Sequence, residues 1–180
     1  MTTLPTVFIT GASSGIGATY AERFARRGHD LVLVARNKSR LDALAMRLRE
    51  QHQIAVEVLQ ADLTNSAELP ALETRLRHDA RIGILINNAG MPQSGHFLEQ
   101  SPEAIESQIA LNITALTRLA AAIAPRLAQS GTGSIVNIGS VVGFSPEFGI
   151  SLYGATKAYV LFLSQGLAHE LSPQGVYVQA

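Results

Sequence analysis

Short apolar runs alternate with amphipathic stretches along the whole chain. Residues 6–10 (TVFIT), 31–35 (LVLVA), 54–59, 82–86 (IGILI), 134–138 (SIVNI) and 175–178 are short and rich in β-branched residues, the pattern of buried strands. Helical spacing follows each of them. Ala18, Ala21, Phe24 and Ala25 form one stripe, with Glu22, Arg23, Arg26 and Arg27 opposite and Gly28 as the stop. Leu41, Leu44, Ala45 and Leu48 form a second, and Asn65 is placed to cap a third helix running to about His78. Ser101-Pro102 opens a helix that runs past Asn112 to Leu127, and a last helix spans 153–171. Strand–helix alternation with continuous apolar strands predicts an α/β fold, a parallel sheet covered by helices on both faces in three αβα layers. No linker or repeat divides the chain, so a single domain over 1–180 is expected.

The helices over 111–127 and 153–171 differ from the others in being apolar nearly all round. A helix lying on a sheet needs only one apolar stripe. Each therefore predicts a second burial partner, most simply another subunit in a homodimer or homotetramer.

The junctions between elements hold the candidate chemistry. The first strand runs straight into Gly11-Ala-Ser13-Ser14-Gly15-Ile16-Gly17 and then a helix. Strand, glycine-rich turn, helix is the first half of a nucleotide-binding βαβ unit, with the helix N-terminus favouring a pyrophosphate. The spacing here is G-x3-G-x-G. NAD-type units place an acid at the end of the second strand for the adenosine ribose. Here that end reads Ala35-Arg36, and Asp30 stands at the opposite end of the strand. Arg36 can pair with a 2′-phosphate through its forked donors, so NADP(H) is the expected cofactor and NAD(H) the alternative. The plain reading of Arg36 is a surface arginine opening a helix. Tyr153 and Lys157 lie four residues apart on one helix face. A phenol is a poor acid or base near neutrality, and a fixed ammonium beside it favours the phenolate. The pair suits proton exchange with a carbonyl/alcohol couple.

Composition narrows the classes. Formal net charge is zero and no long basic run appears, which gives no support to nucleic-acid binding. The absence of cysteine excludes disulfides and thiolate-held metal, and fits a cytoplasmic protein. His29, His52, His78, His96 and His169 are scattered without ligand spacing, so no metal site is expected and each reads as a surface residue. The longest alanine-rich stretch is interrupted by Arg118 and Pro125, and no membrane span is expected.

Five features in this order resemble the classical short-chain dehydrogenases/reductases over residues 6–180: the Thr10–Gly17 turn, Asn87-Asn88-Ala89-Gly90, a helical Asn112, Ser140 after the fifth strand, and Tyr153-x3-Lys157. The resemblance implies a Rossmann-type doubly wound sheet and an oxidoreductase moving a hydride between nicotinamide and a small carbonyl or secondary-alcohol substrate. Tyr153 would be the acid/base, and Ser140 would hydrogen-bond the substrate oxygen. Lys157 would assist Tyr153 and bind the nicotinamide ribose. Asn112 would sit at a helix irregularity and hold a proton-relay water. Gly11, Ser13, Ser14, Gly15, Ile16 and Gly17 would line the phosphates and ribose, Asp62 and Leu63 the adenine, and Asn88, Ala89 and Gly90 the adenosine-side ribose and phosphates. Phe144, Pro146, Phe148, Leu152 and Phe97 hint at an apolar substrate wall. Two departures from the family pattern stand out. Members run on for roughly another 70 residues, so the fold is expected to be C-terminally incomplete here, lacking a lid, a last strand and a helix, and this form to turn over poorly. No basic residue stands within the glycine turn to support Arg36. A non-catalytic nucleotide-binding module of the same fold, or an epimerase/dehydratase of the superfamily, remains the alternative.

Overall fold

The apolar runs become the six strands of one sheet. The structure is a computed structural model and describes residues 4–92 and 95–180. In chain order the main elements are β1 (Thr6–Thr10), α1 (Gly15–Ala25), β2 (Leu31–Ala35), α2 (Lys38–His52), β3 (Val56–Gln60), α3 (Leu69–His78) and β4 (Ile82–Asn87). There follow α4 (Pro102–Ile109), a π-helical segment (Ala110–Ala115), α5 (Leu116–Ser130), β5 (Gly133–Asn137), α6 (Ser151–Leu171) and β6 (Val176–Gln179). The strands lie in the order β3-β2-β1-β4-β5-β6, and every pair is parallel. Successive residues of β1 point to opposite faces. Phe8 joins Val32, Val34, Leu85 and Ile135 in the core beneath α3, α5 and α6. Val7 and Ile9 join Leu33 and Ile86 beneath α1 and α2. The doubly wound, three-layer arrangement is the expected one. The order reverses between β1 and β4, so the turns leaving these two strands diverge and leave a crevice at the carboxyl edge of the sheet.

Several local expectations need correction. β3, β5 and β6 are displaced by one or two residues from the apolar runs that announced them. Asn65 does not cap α3. Its Oδ1 accepts from the Ala67 amide at 3.0 Å in a local turn, and the helix begins at Leu69 with Pro70 in its first turn. The long helix passes Arg118 and Pro125 unbroken, as its spacing predicts. Pro102–Ser130 runs continuously through the π segment, and over an 18-residue window its mean hydropathy of 1.2 meets the length and composition of a membrane span. Over half of that window (56%) is buried against the rest of the fold, the behaviour of a core helix.

The two apolar helices are also unlike each other. α5 buries Leu116, Leu119, Ala120, Ala122, Ile123 and Leu127. Its second partner is α3 of the same chain, where Arg118 pairs with the buried Glu73. α6 buries only Thr156, Lys157, Val160 and Ser164. Its Phe162 is 80% exposed. The histidines are likewise not uniform: His52 is half-buried against Glu22 at 3.0 Å, and His29 bonds the Pro5 carbonyl.

Candidate active site

Two turns build the crevice, and side chains stitch them together. Thr10 closes β1, and its hydroxyl oxygen accepts from the Asn88 and Ala89 amides, each at 3.0 Å. Asn88 answers by donating from Nδ2 to the Thr10 and Gly11 carbonyls at 3.0 and 3.1 Å. The approach is close enough to demand glycine. At Gly11 (φ +63°) a Cβ would lie 2.7 Å from Asn88 Nδ2 and 2.9 Å from Ala89 Cα. At Gly17 a Cβ would strike the Gly11 carbonyl. Ser14 caps α1 without a side-chain hydrogen bond, which leaves the first amides of the helix directed at the crevice.

The crevice has a volume of about 510 Å³, within the range of sites for cofactor-sized ligands. Gly11, Ser13, Ser14 and Ile16 line its centre, and Asn88, Ala89 and Gly90 the facing wall. Asp62 and Leu63 lie at the outer end with Arg36. Gly15 lies outside the lining, and Gly17 supports the turn from behind. Asn88 therefore both lines the crevice and holds the glycine turn. Arg36 is 68% exposed, and its guanidinium stands 4.0 Å from the Asp62 carboxylate. Burial works to raise the Asp62 carboxyl, but hydrogen bonds from the Thr64 amide and hydroxyl, with the Arg36 charge, hold it below the ordinary aspartate range. Arg40 and Asn37, which carry no motif, also line this end. Asn37 caps α2 by accepting from the Arg40 amide at 3.0 Å. The signal was present in the four-residue interval from Arg36 to Arg40.

At the inner end the remaining candidates converge. Asn112 lies in the π segment, the irregularity that the resemblance implied. It is buried, and three of the four hydrogen bonds open to its carboxamide are filled. Oδ1 accepts from the Met91 amide, and Nδ2 donates to the Met91 carbonyl, both at 2.9 Å, and to Thr156 Oγ1 at 3.1 Å. Lys157 is also buried, with its ammonium donating to the Ile138 carbonyl at 2.6 Å and lying 5.6 Å from the centre of the Tyr153 ring. Burial pushes the Lys157 amine below the usual lysine range. A Cβ built on Gly90 would lie 3.3 Å from Asn112 Oδ1 and 3.7 Å from Lys157 Nζ, so the crevice wall ends against both residues. Ser140 is half-buried and extended, opening the turn Val141–Phe144 that packs on α6. A buried polar chain, Asn87 to Asn137 to Ser164, ties β4 through β5 to α6 at 2.9 Å per link. Thr156, Asn137 and Ser164 carry no motif of their own. Among the described residues no cluster of histidines and carboxylates could hold a metal.

A family model described as short chain dehydrogenase matches residues 5–180. The chain belongs to that family. With it, the protein is an oxidoreductase. Solved members superpose closely. A short-chain dehydrogenase from Sphingobium yanoikuyae, in complex with NADPH, is 77% identical with a TM-score of 0.98, over 98% of this chain and 69% of that one. The bulky-bulky ketone specific alcohol dehydrogenase from Comamonas testosteroni is 67% identical with a TM-score of 0.98, over 99% and 71%. Among curated relatives, an uncharacterized oxidoreductase of Staphylococcus saprophyticus is 38% identical over 94% of this chain and 73% of its own length. A very-long-chain 3-oxoacyl-CoA reductase of Danio rerio is 32% identical, and this short-chain dehydrogenase spans 56% of it.

Proposed function

We propose that this short-chain dehydrogenase reduces bulky apolar ketones, or oxidises the corresponding alcohols, with NADP(H). The observation that carries the reading is the meeting of Tyr153, Lys157 and Asn112 at the inner end of a crevice whose outer end presents Arg36 and Arg40. The cofactor, when bound, supplies or accepts the hydride. The amides at the start of α1 receive its pyrophosphate, and Arg36 with Arg40 its 2′-phosphate. Ser140 donates a hydrogen bond to the substrate oxygen and stabilises charge developing there. Tyr153 gives that oxygen its proton, and the Lys157 charge favours the phenolate left behind. Asn112, in the wider π turn beside Lys157, holds a relay water.

The bulk of the substrate is read from Val141, Phe144 and Phe148, all more than half exposed on the segment between Ser140 and Tyr153. The name of the 67%-identical Comamonas enzyme supports it. The exposed apolar face of α6, with Ala155, Ala158, Tyr159 and Phe162, is assigned to a second copy of the chain. A panel of ketones offered with NADPH and with NADH, followed by cofactor absorbance, tests the activity. Turnover confined to small hydrophilic ketones, or a preference for NADH, contradicts the proposal. Light scattering that shows a stable monomer at micromolar concentration contradicts the pairing through α6.

A further inference from the structure

Gly143 and Gly154 occupy positions where nothing in the backbone asks for glycine. Neither has a left-handed φ, so a side chain is excluded only by lack of space. At Gly143 a Cβ would lie 2.8 Å from the Ala158 nitrogen and 2.8 Å from the Lys157 carbonyl carbon. Both atoms belong to the α6 backbone and are held by its hydrogen-bond ladder. At Gly154 a Cβ would lie 3.2 Å from the Val142 carbonyl oxygen. The two glycines thus face each other's elements. One sits three residues after Ser140 and presses on α6 beside Lys157. The other sits one residue after Tyr153 and receives the Ser140 turn. That turn is closed by the Gly143 amide donating to the Ser140 carbonyl at 3.1 Å, so the position of Gly143 is transmitted to Ser140 through a single hydrogen-bonded loop.

We infer that Gly143 and Gly154 are positioning residues: their bare backbone contact fixes the depth at which Ser140 stands relative to Tyr153 and Lys157. The inference rests on the proposed roles of those three residues. Side chains can repack by rotamer changes, whereas a backbone-to-backbone contact has no such freedom, which makes it a suitable gauge for groups that must share one substrate oxygen. The spacing also predicts a graded response. Ordinary contact begins at 3.4 Å, so a methyl at 143 must lift the turn by roughly 0.6 Å, and one at 154 by only about 0.2 Å.

The test compares Gly143→Ala, Gly154→Ala and the parent full chain, with Gly166→Ala as the control. Gly166 lies on the same helix with nothing within 4 Å of a built Cβ. For Gly143→Ala the expected kcat loss is about 100-fold, the scale of a sub-ångström misplacement, with Kd for NADPH within about threefold of the parent. For Gly154→Ala a loss of about fivefold is expected, and for Gly166→Ala none. A Gly143→Ala protein that folds and keeps kcat within about threefold overturns the inference, as does a loss shared equally between kcat and cofactor Kd. If Gly143→Ala does not fold, Gly154→Ala decides by the same split: a kcat loss at unchanged Kd and melting temperature supports the gauge, and an unchanged kcat overturns it. Crystal structures of the parent and the folded variants give a second readout. Ser140 should move away from α6, and an unmoved Ser140 overturns the inference. A parent that turns over no carbonyl compound would defeat the functional reading alone, because the displacement of Ser140 is measured without turnover.

Discussion

The two edges of the sheet treat charge in opposite ways. At the amino edge the acidic groups Asp79 and Glu57 are matched at close range. Asp79 receives Arg75 and Arg81, and Arg75 also holds Glu57. At the carboxyl edge the two cations beside the crevice are loosely matched. Arg36 stands 4.0 Å from Asp62, and Lys157 is buried on a carbonyl with no carboxylate in salt-bridge distance among the described residues. Saturated ion networks stabilise a scaffold but offer nothing to a ligand, whereas under-matched buried charge is costly until something uses it. The edge that is electrostatically unfinished is the edge where the glycine turn, Ser140 and Tyr153 converge.

The sharpest break of this comparison removes one atom from the reactive edge. Tyr153→Phe is expected to lower kcat about 10³-fold while Kd for NADPH stays within about threefold, since only the proton-transfer group is lost. Steady-state kinetics with equilibrium cofactor titration checks both halves, and kcat within tenfold of the parent sinks the acid/base assignment. The next effect lies at the outer end of the crevice. Arg36→Ala should weaken NADPH by about 5- to 150-fold, the worth of roughly 1–3 kcal/mol for a charge-assisted contact, and leave NADH unchanged. Ala35→Asp should reverse the preference by repelling the 2′-phosphate. Equal affinity of the parent for both cofactors at low salt would remove Arg36 and Arg40 from the account.

Two stability measurements sharpen the contrast further. Hydrogen bonds from Arg81, reinforced by Arg75, hold the Asp79 carboxyl down at about 2. A carboxyl depressed below its unfolded value stabilises the fold above that value, so its contribution is present above about pH 4 and is lost as pH falls toward 2. Asp79→Asn should therefore cost about 1–2 kcal/mol at neutral pH, discounted for the exposure of Arg81, and flatten the acid limb of the stability profile. An acid limb unchanged by the substitution contradicts the assignment. Lys157→Met should do the reverse at the other edge. Burial lowers the Lys157 pKa, so its protonated form opposes folding, and this penalty fades as pH rises through the folded and then the unfolded value. The cofactor-free variant should melt a few degrees higher than the parent near neutral pH, at about 2–4 °C per kcal/mol, although it no longer turns over. A lower melting temperature would show that Lys157 stabilises the scaffold.

What the sequence made legible was local. Periodicity placed the six strands to within two residues, the glycine turn pointed to Gly11, helical spacing to Tyr153 and Lys157, and the family resemblance to Asn88 and Ser140. The rest depends on what the fold brings close. No pattern announces that the Asn88 amide also bonds the Gly11 turn, and Asn65 reads as a cap until Pro70 is seen to open the helix. Apolar residues all round gave α5 and α6 the same reading, yet α5 finds its second partner in α3, a helix nearly forty residues earlier, and α6 does not. Gly143 and Thr156 have no signature at all. Their importance lies in a distance to a residue elsewhere in the chain, which hydrophobic patterning does not encode.

Direct passage of a hydride between cofactor and substrate at the inner end of the crevice can be followed by label transfer. The enzyme is incubated with a bulky aryl ketone and NADPH deuterated at both C4 positions, and the alcohol product is analysed by mass spectrometry and proton NMR. One deuterium per product molecule is expected, bound to the carbinol carbon and in a single stereochemical sense. Alcohol formed without deuterium at that carbon would contradict it.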